Sequence, residues 1–176
     1  MLLQLRRSIV AVVFFVILCG ICYPLAETGL GQLFFPHQAN GSLIHGGSAL
    51  IGQRWSGPSW FHGRPGPYDA AASGATNLGP RSRVLKEHVA ARIARWHRLG
   101  VNPTPELVES SGSGLDPDIS PASAYAQVKM VARARHLPAS TVRSLVTRSV
   151  HAREFGFLGE PYVNVLELNQ ALAGLR

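Results

Sequence analysis

The chain has 176 residues, 46% of them hydrophobic and only 15% charged, which excludes a wholly disordered protein and, at this length, favours one domain with an appendage over a multidomain enzyme. Its 17 Lys and Arg outnumber its 10 Asp and Glu, giving a net charge of +7. Nucleic acid, acidic lipid and a membrane-topology signal all ask for such an excess, so the positions of the charges decide between them.

Ser8 through Ala26, SIVAVVFFVILCGICYPLA, is 19 residues without a formal charge. At about 1.5 Å per residue it spans roughly 28 Å, close to the hydrocarbon thickness of a bilayer. Eleven of the 19 are Val, Ile, Leu or Phe, which together supply on the order of −5 kcal/mol toward insertion. A cleaved signal peptide would have a shorter apolar region and end in small residues, whereas Pro24, Leu25 and Ala26 make a poor cleavage site. Leu18 and Ile21 before Cys19 and Cys22 do not form a lipoprotein box either. An uncleaved anchor is therefore expected. Arg6 and Arg7 precede it and no Lys or Arg follows until Arg54, so the positive-inside rule puts residues 1–7 in the cytoplasm, 8–26 across the membrane and 27–176 in a periplasmic or extracytoplasmic domain. Both cysteines fall in the span and read as packing residues, which leaves the outer domain to hold together by its core. Export also argues against a nucleic-acid partner.

Leu30, Leu33, Phe34 and Phe35 form an apolar collar before Pro36, placed near the membrane surface or against a partner. Residues 41–80 hold nine Gly and four Pro but only three formal charges, and Trp55, Trp60, Phe61 and Tyr68 are too apolar for a flexible linker. This pattern predicts ordered irregular chain with short strands near Ser48–Gln53 and Trp60–Gly63. Ser82 caps a helix running to about Leu99, with Leu85, Val89, Ile93 and Trp96 on one face and Gly100 as its stop. The opposite face, Arg83, Lys86, Arg92, Arg95 and Arg98, reads as a solvated face, with acidic lipid or a partner as alternatives. Leu107–Glu109 reads as a short strand. Ser120 and Pro121 start a helix to Arg135, with Tyr125, Val128 and Ala132 inward. Pro138 opens another to about Arg153, with Val142, Leu145, Val146 and Val150 on one face. Asn164 and Glu167 form a capping-box pattern for a last helix through about Ala173. The expected fold class is α+β: a single N-terminal transmembrane helix followed by a helix-rich extracytoplasmic domain with short strands.

Few residues suggest chemistry. The seven histidines show no H-x-x-x-H spacing and have no cysteine helpers, so no metal site is expected. Asp116 and Asp118 resemble a fragment of a calcium loop that lacks its Gly and terminal Glu. Ser111 and Ser113 in ESSGSGLD sit in a tight glycine turn without a G-x-S-x-G elbow, and the turn lacks the Lys of a phosphate-binding loop. A stand-alone exported hydrolase or ligand-binding module using SGSGLD is the rival reading that these residues leave open.

Taken in order, GSALIGQRW (47–55), WFHGRP (60–65), SGATNLGP (73–80), ELVESSGSGLDPDISPASAYAQV (106–128) and GFLGEPYVNVLELNQAL (156–172), behind one N-terminal span, resemble the C subunit of the Kdp-type high-affinity potassium-transporting P-type ATPase. The resemblance covers essentially the whole chain. Ala75 stands where the family usually has Gly, and Trp60 where Tyr is common. The resemblance implies a non-catalytic, single-pass subunit of a bacterial inner-membrane complex. Its partners would be a channel-like potassium-binding subunit, a P-type ATPase catalytic subunit that hydrolyses ATP, and a very small membrane peptide, all in contact with membrane lipid. No tightly bound cofactor is implied. The family is also described as a catalytic chaperone that raises the ATP affinity of the ATPase subunit through a ternary complex. That would place nucleotide contact at Ser111, Gly112, Ser113, Gly114 and Gln127. The topology argued above puts those residues outside the cell, away from ATP, so an assembly role ranks above the chaperone one. The low-charge, aromatic segments nominate Trp60, Phe61, His62, Gly63, Arg64 and Pro65, with Asn77, Leu78, Gly79 and Pro80, as the docking interface.

Overall fold

The computed structural model describes residues 1–45 and 47–175. They divide after Ile44 into two compact units, Met1–Ile44 and His45–Arg176.

The first unit is dominated by one apolar helix, Leu2–Phe34, with no buried side chain. Its 33 residues extend roughly 50 Å at about 1.5 Å per residue, more than the apolar core of a bilayer requires. It comprises α1 (Leu2–Ile17), one π-helical turn (Leu18–Cys22) and α2 (Tyr23–Phe34). The π turn lies just before Pro24, which has no N–H for the carbonyl four residues back, and Tyr23 N–H reaches Leu18 O instead. The helix continues past Ala26 and includes Leu30, Leu33 and Phe34. It stops at Phe35 (φ −137°, ψ 54°) because the following Pro36 disfavours helical geometry there. A short turn, α3 (Pro36–Ala39), and the two-residue strand β1 (Leu43–Ile44) complete the unit.

The second unit opens with β2 (Gly47–Ser48) and then runs without a regular strand to α4 (Arg83–Arg98). Ser82 Oγ accepts the Leu85 N–H, and Gly100 at φ +72° lets Val101 N–H close back on Trp96 O. The expected strand at Leu107–Glu109 is instead a 3₁₀ turn, Pro105–Leu107, held against α4: Trp96 Nε1 donates to Leu107 O at 2.9 Å and Arg92 to Val108 O at 2.7 Å. With their carbonyls taken by side chains, these residues have no need of a neighbouring strand.

Helix α5 (Pro121–Arg135) starts at the Ser120 cap and ends where His136 turns left-handed, at φ 56°. Of its expected inward residues Val128 and Ala132 are buried, and Tyr125 is half-buried. Glu106 reinforces its start: one carboxylate oxygen accepts from Ser120 N at 2.9 Å, Ser120 Oγ at 2.6 Å and Ser123 Oγ at 2.6 Å. Burial opposes ionisation of Glu106, but these donors outweigh it and hold the carboxyl below its usual range. Helix α6 (Ala139–Arg148) ends about five residues earlier than its apolar spacing suggested. His151 leaves it to pair with Tyr162 through two backbone hydrogen bonds, its ring stacked on the tyrosine at 4.7 Å.

Strands β3 (Asp118–Ile119) and β4 (Val163–Asn164) pair antiparallel, and β4 runs straight into α7 (Val165–Ala173). Asn164 joins the two: Oδ1 caps Leu166 and Glu167 N–H, while Nδ2 donates to Ala49 O at 2.8 Å and Asp118 Oδ1 at 3.0 Å. Only half of the expected capping box forms, because the Glu167 carboxylate faces His151 at 3.1 Å. Phe61, Leu107, Ile119, Val128, Val131, Val142, Val146, Val163, Leu168 and Leu172 are buried in one continuous core. The fold class is therefore α+β, helix-rich, with strands of two residues each.

Candidate functional site

The segment Trp60–Gly63 is not the strand its composition suggested, yet its backbone is fully paired at the two buried residues, Phe61 and His62. Asn169 of α7 takes Phe61: Oδ1 accepts Phe61 N–H and Nδ2 donates to Phe61 O, both at 2.9 Å. Gln127 of α5 takes His62, accepting its N–H at 2.8 Å and donating to its carbonyl at 3.0 Å, with a further bond to Ser123 O. Successive peptide groups of extended chain point to opposite sides, so two side-chain amides do the work of two neighbouring strands. Both amides are fully buried. Gln127 therefore has its hydrogen-bonding atoms committed inside the fold, and a nucleotide would reach it only by opening that packing.

His62 is buried with its Nε2 at 2.8 Å from Gly57 O, and its ring stands edge-on to Trp96. Burial pushes its pKa down, against the bond to Gly57, and the nearby Arg95 charge lowers it further. The ring is thus neutral and donates to Gly57. Trp60 lies beside Trp55 with centroids 5.0 Å apart, under the Arg135 guanidinium at 4.3 Å.

Ser111–Gly114 is a packing turn. Ser111 Oγ is buried and accepts Gly114 N–H at 3.0 Å, and the exposed Ser113 Oγ accepts Leu115 N–H at 3.1 Å. Among the described residues neither hydroxyl meets a histidine or a carboxylate. Backbone groups of Gly52, Tyr68 and Gly74 bond to Leu115, Gly114 and Ser113 in turn. A Cβ on Gly66 would come within 2.5 Å of Gly114 O, and Gly114 itself needs φ +70°, so close packing explains glycine at both positions. Gly112 has open space around it and is exposed.

A polar cleft of about 470 Å³ opens beside this turn. Residues 53–56 and 62–68 form one wall and α4 supplies His88, Arg92, Arg95 and Trp96, with Thr76, Leu107 and Ser110 completing it. Gly63 and Arg64 carry the chain along its edge, where the Tyr68 hydroxyl donates to Arg64 O. Burial, and then the Asp116 charge, push the Tyr68 pKa up to about 12, so it keeps its proton as a donor.

The nominated interface residues occupy two settings. Phe61 and His62 are interior, Gly63, Arg64 and Pro65 are half-buried along the cleft, and Trp60 is half-buried outside its lining. Asn77, Gly79 and Pro80 are exposed, with Leu78 half-buried. The structure adds a surface that the sequence reading did not single out. A tight turn between Glu154 and Leu158 presents Phe155, Phe157 and Leu158 at 87, 75 and 53% exposure. The glycines flanking FL in GFLGEP were the available signal, since a turn with aromatics at its tip cannot bury them locally.

The acidic residues near the turn are engaged in the fold. Arg64 pairs with Asp116 at 3.4 Å, Asp116 Oδ1 accepts Asp118 N–H, and Asp118 accepts from Asn164. Burial, and then Asp116, push the Asp118 pKa up from 3.8 to about 6. The folded chain thus holds this proton more tightly than the unfolded chain, and the stability it contributes, complete below about pH 4, is lost as pH rises through about 6. Asp118→Asn keeps an oxygen for Asn164 and removes the charge. Its thermal midpoint should exceed that of the parent by about 4 °C at pH 8 and by much less at pH 4. Equal midpoints at pH 8 would contradict this.

No group of three or more His, Cys, Asp or Glu side chains that could hold a metal ion occurs among the described residues. The sequence pattern of the family described as "KdpC: K+-transporting ATPase, c chain" matches residues 5–174. Three proteins named "Potassium-transporting ATPase KdpC subunit" are similar over nearly their full lengths. That of Allorhizobium ampelinum is 48% identical, covering 98% of this chain and 96% of its own. That of Acidobacterium capsulatum is 47% identical, covering 96% and 97%. That of Gemmatimonas aurantiaca is 49% identical, covering 99% and 94%.

Proposed function

The chain belongs to the KdpC family of K+-transporting ATPase c chains, and from that premise we propose that it is a non-catalytic subunit that assembles and stabilises an ATP-driven potassium uptake complex. The observation that carries this reading is the family match over residues 5–174, which leaves almost no chain for a separate activity. The serine geometry agrees with it, since among the described residues neither Ser111 nor Ser113 meets a histidine or carboxylate that could activate it. The stand-alone hydrolase reading has no such support.

In the arrangement proposed, residues 1–7 are cytoplasmic, 8–26 cross the bacterial inner membrane and 27–176 lie in the periplasm. The exposed apolar helix, with the pair Arg6 and Arg7 near its N-terminal end, supports this orientation. The second unit docks on the outer face of a channel-like potassium-binding subunit, beside a P-type ATPase subunit that hydrolyses ATP and a small membrane peptide. The Phe155–Leu158 tip suits docking because clustered exposed apolar groups gain most from being covered, and the exposed Asn77, Gly79 and Pro80, with Leu78, supply a second contact segment. Trp60–Pro65 contributes through Phe61 and His62, whose backbone groups bond to Asn169 and Gln127. ATP contact at Ser111–Gly114 and Gln127 is the finer, competing role, and the buried, committed amide of Gln127 favours assembly over it.

Expressing residues 1–44 in place of the full chain, together with the other subunits, tests the assembly role. The complex should no longer copurify intact, and growth at micromolar potassium should fail. An intact, transporting complex that lacks 45–176 would refute it.

A further inference from the structure

The cleft between α4 and residues 53–68 carries charge that subunit assembly leaves unused. Arg54, Arg64, Arg92, Arg95 and His88 line it, and no Asp or Glu does among the described residues. Among the described residues Arg64 alone of these meets a carboxylate, Asp116 at 3.4 Å. Arg54 and Arg92 each give one N–H to a backbone carbonyl, of Pro67 and Val108, and Arg95 makes no hydrogen bond or ion pair among the described residues.

Two residues of the cleft wall also carry a buried donor, Trp55 Nε1 and Arg64 Nε, that has no acceptor among the described residues. Like charges gathered in one concave site repel one another, and an occupant with negative charge and several acceptor oxygens relieves that repulsion while accepting from the exposed guanidinium N–H groups. A single carboxylate would answer one guanidinium. A phosphate group, with up to two charges and its several oxygens, answers more, and guanidinium forks match its geometry.

We propose that this cleft binds a phosphate-bearing anion, either the headgroup of an acidic lipid or a free phosphate ester, with Arg95 and Arg92 as its main charged contacts. The volume of about 470 Å³ accommodates more than a bare ion, with Trp55, Tyr68 and Trp96 available to the remainder. None of Ser111, Gly112, Ser113, Gly114 and Gln127 lines it, so the site is separate from the nucleotide contact considered above.

The test uses the full chain in neutral detergent, with thermal unfolding followed by tryptophan fluorescence. Sodium phosphate and dihexanoyl phosphatidylglycerol are titrated separately against sodium chloride of matched ionic strength. Arg95→Gln is the informative variant because it removes no hydrogen bond of the fold, and Lys86→Gln, on the same helix but outside the cleft, is the charge-matched control. At least one probe should raise the midpoint in a saturable way, with the half-effect concentration increased about tenfold by Arg95→Gln and unchanged by Lys86→Gln. An Arg95-dependent response to phosphate identifies a free phosphate ester, and one confined to the lipid identifies a headgroup. If neither probe gives a response that Arg95→Gln weakens more than Lys86→Gln does, the proposal is wrong.

Discussion

Asn169→Ala and Gln127→Ala should each lower the stability of the second unit by about 3–5 kcal/mol. Each change strands a buried peptide N–H and a buried carbonyl, at about 1–3 kcal/mol apiece, and leaves a small cavity. That is a large part of the roughly 5–15 kcal/mol available to a domain. The two amides hold consecutive residues, Phe61 and His62, so once one is gone the segment is already partly released. The double variant should accordingly lose less than the sum of the two. Trp55, Trp60 and Trp96 are the chain's three tryptophans, and all of them belong to this region or pack beside it. Urea unfolding followed by their fluorescence therefore reads the effect directly. A loss below about 1 kcal/mol in both single variants would mean that solvent satisfies these groups and that the clip is incidental.

Replacing Val16 and Ile17 together by Arg should remove the chain from the membrane. Two arginines near the centre of the span add about 5–7 kcal/mol and forfeit about 1 kcal/mol of apolar transfer, more than cancelling the roughly −5 kcal/mol contributed by the eleven large apolar residues. The measurement can report orientation at the same time. Protease added to intact spheroplasts should digest the parent chain beyond Glu27, while the double variant, left inside the cell, should be protected. Protection of the parent chain would place 27–176 in the cytoplasm and revive the ATP-chaperone role. Membrane retention of the double variant would show that something other than the span anchors the chain.

Both experiments bear on how the second unit would serve the pump proposed for it. A subunit that only clamps its partner needs a rigid scaffold, and the second unit has one in the core shared by α5, α6 and α7. Its exposed features, the Asn77–Pro80 stretch and the Phe155–Leu158 tip, are loops carried by that scaffold, the usual placement of contact residues.

Local rules were enough where the causes are local. The uncharged run before Glu27 dictates an apolar helix, Ser82, Ser120 and Asn164 cap the helices that follow them, and Gly100 and Pro138 punctuate as those residue types do. The five ordered segments were sufficient for the family, because a long match in register does not depend on knowing the fold. Tertiary structure decided the rest. Trp60–Gly63 has strand composition but finds its partners in side chains 65 and 108 residues away in sequence, and no window on the chain contains that information. Val108 gives its carbonyl to Arg92, and the chain beyond α6 gives up helix for the pairing of His151 with Tyr162. The basic face of α4 read as solvated because helical spacing reports which residues share a side and not what faces them. Folding sets Arg92 and Arg95 opposite Arg54 and Arg64, and a cleft assembled from segments this far apart exists only once the core has brought them together.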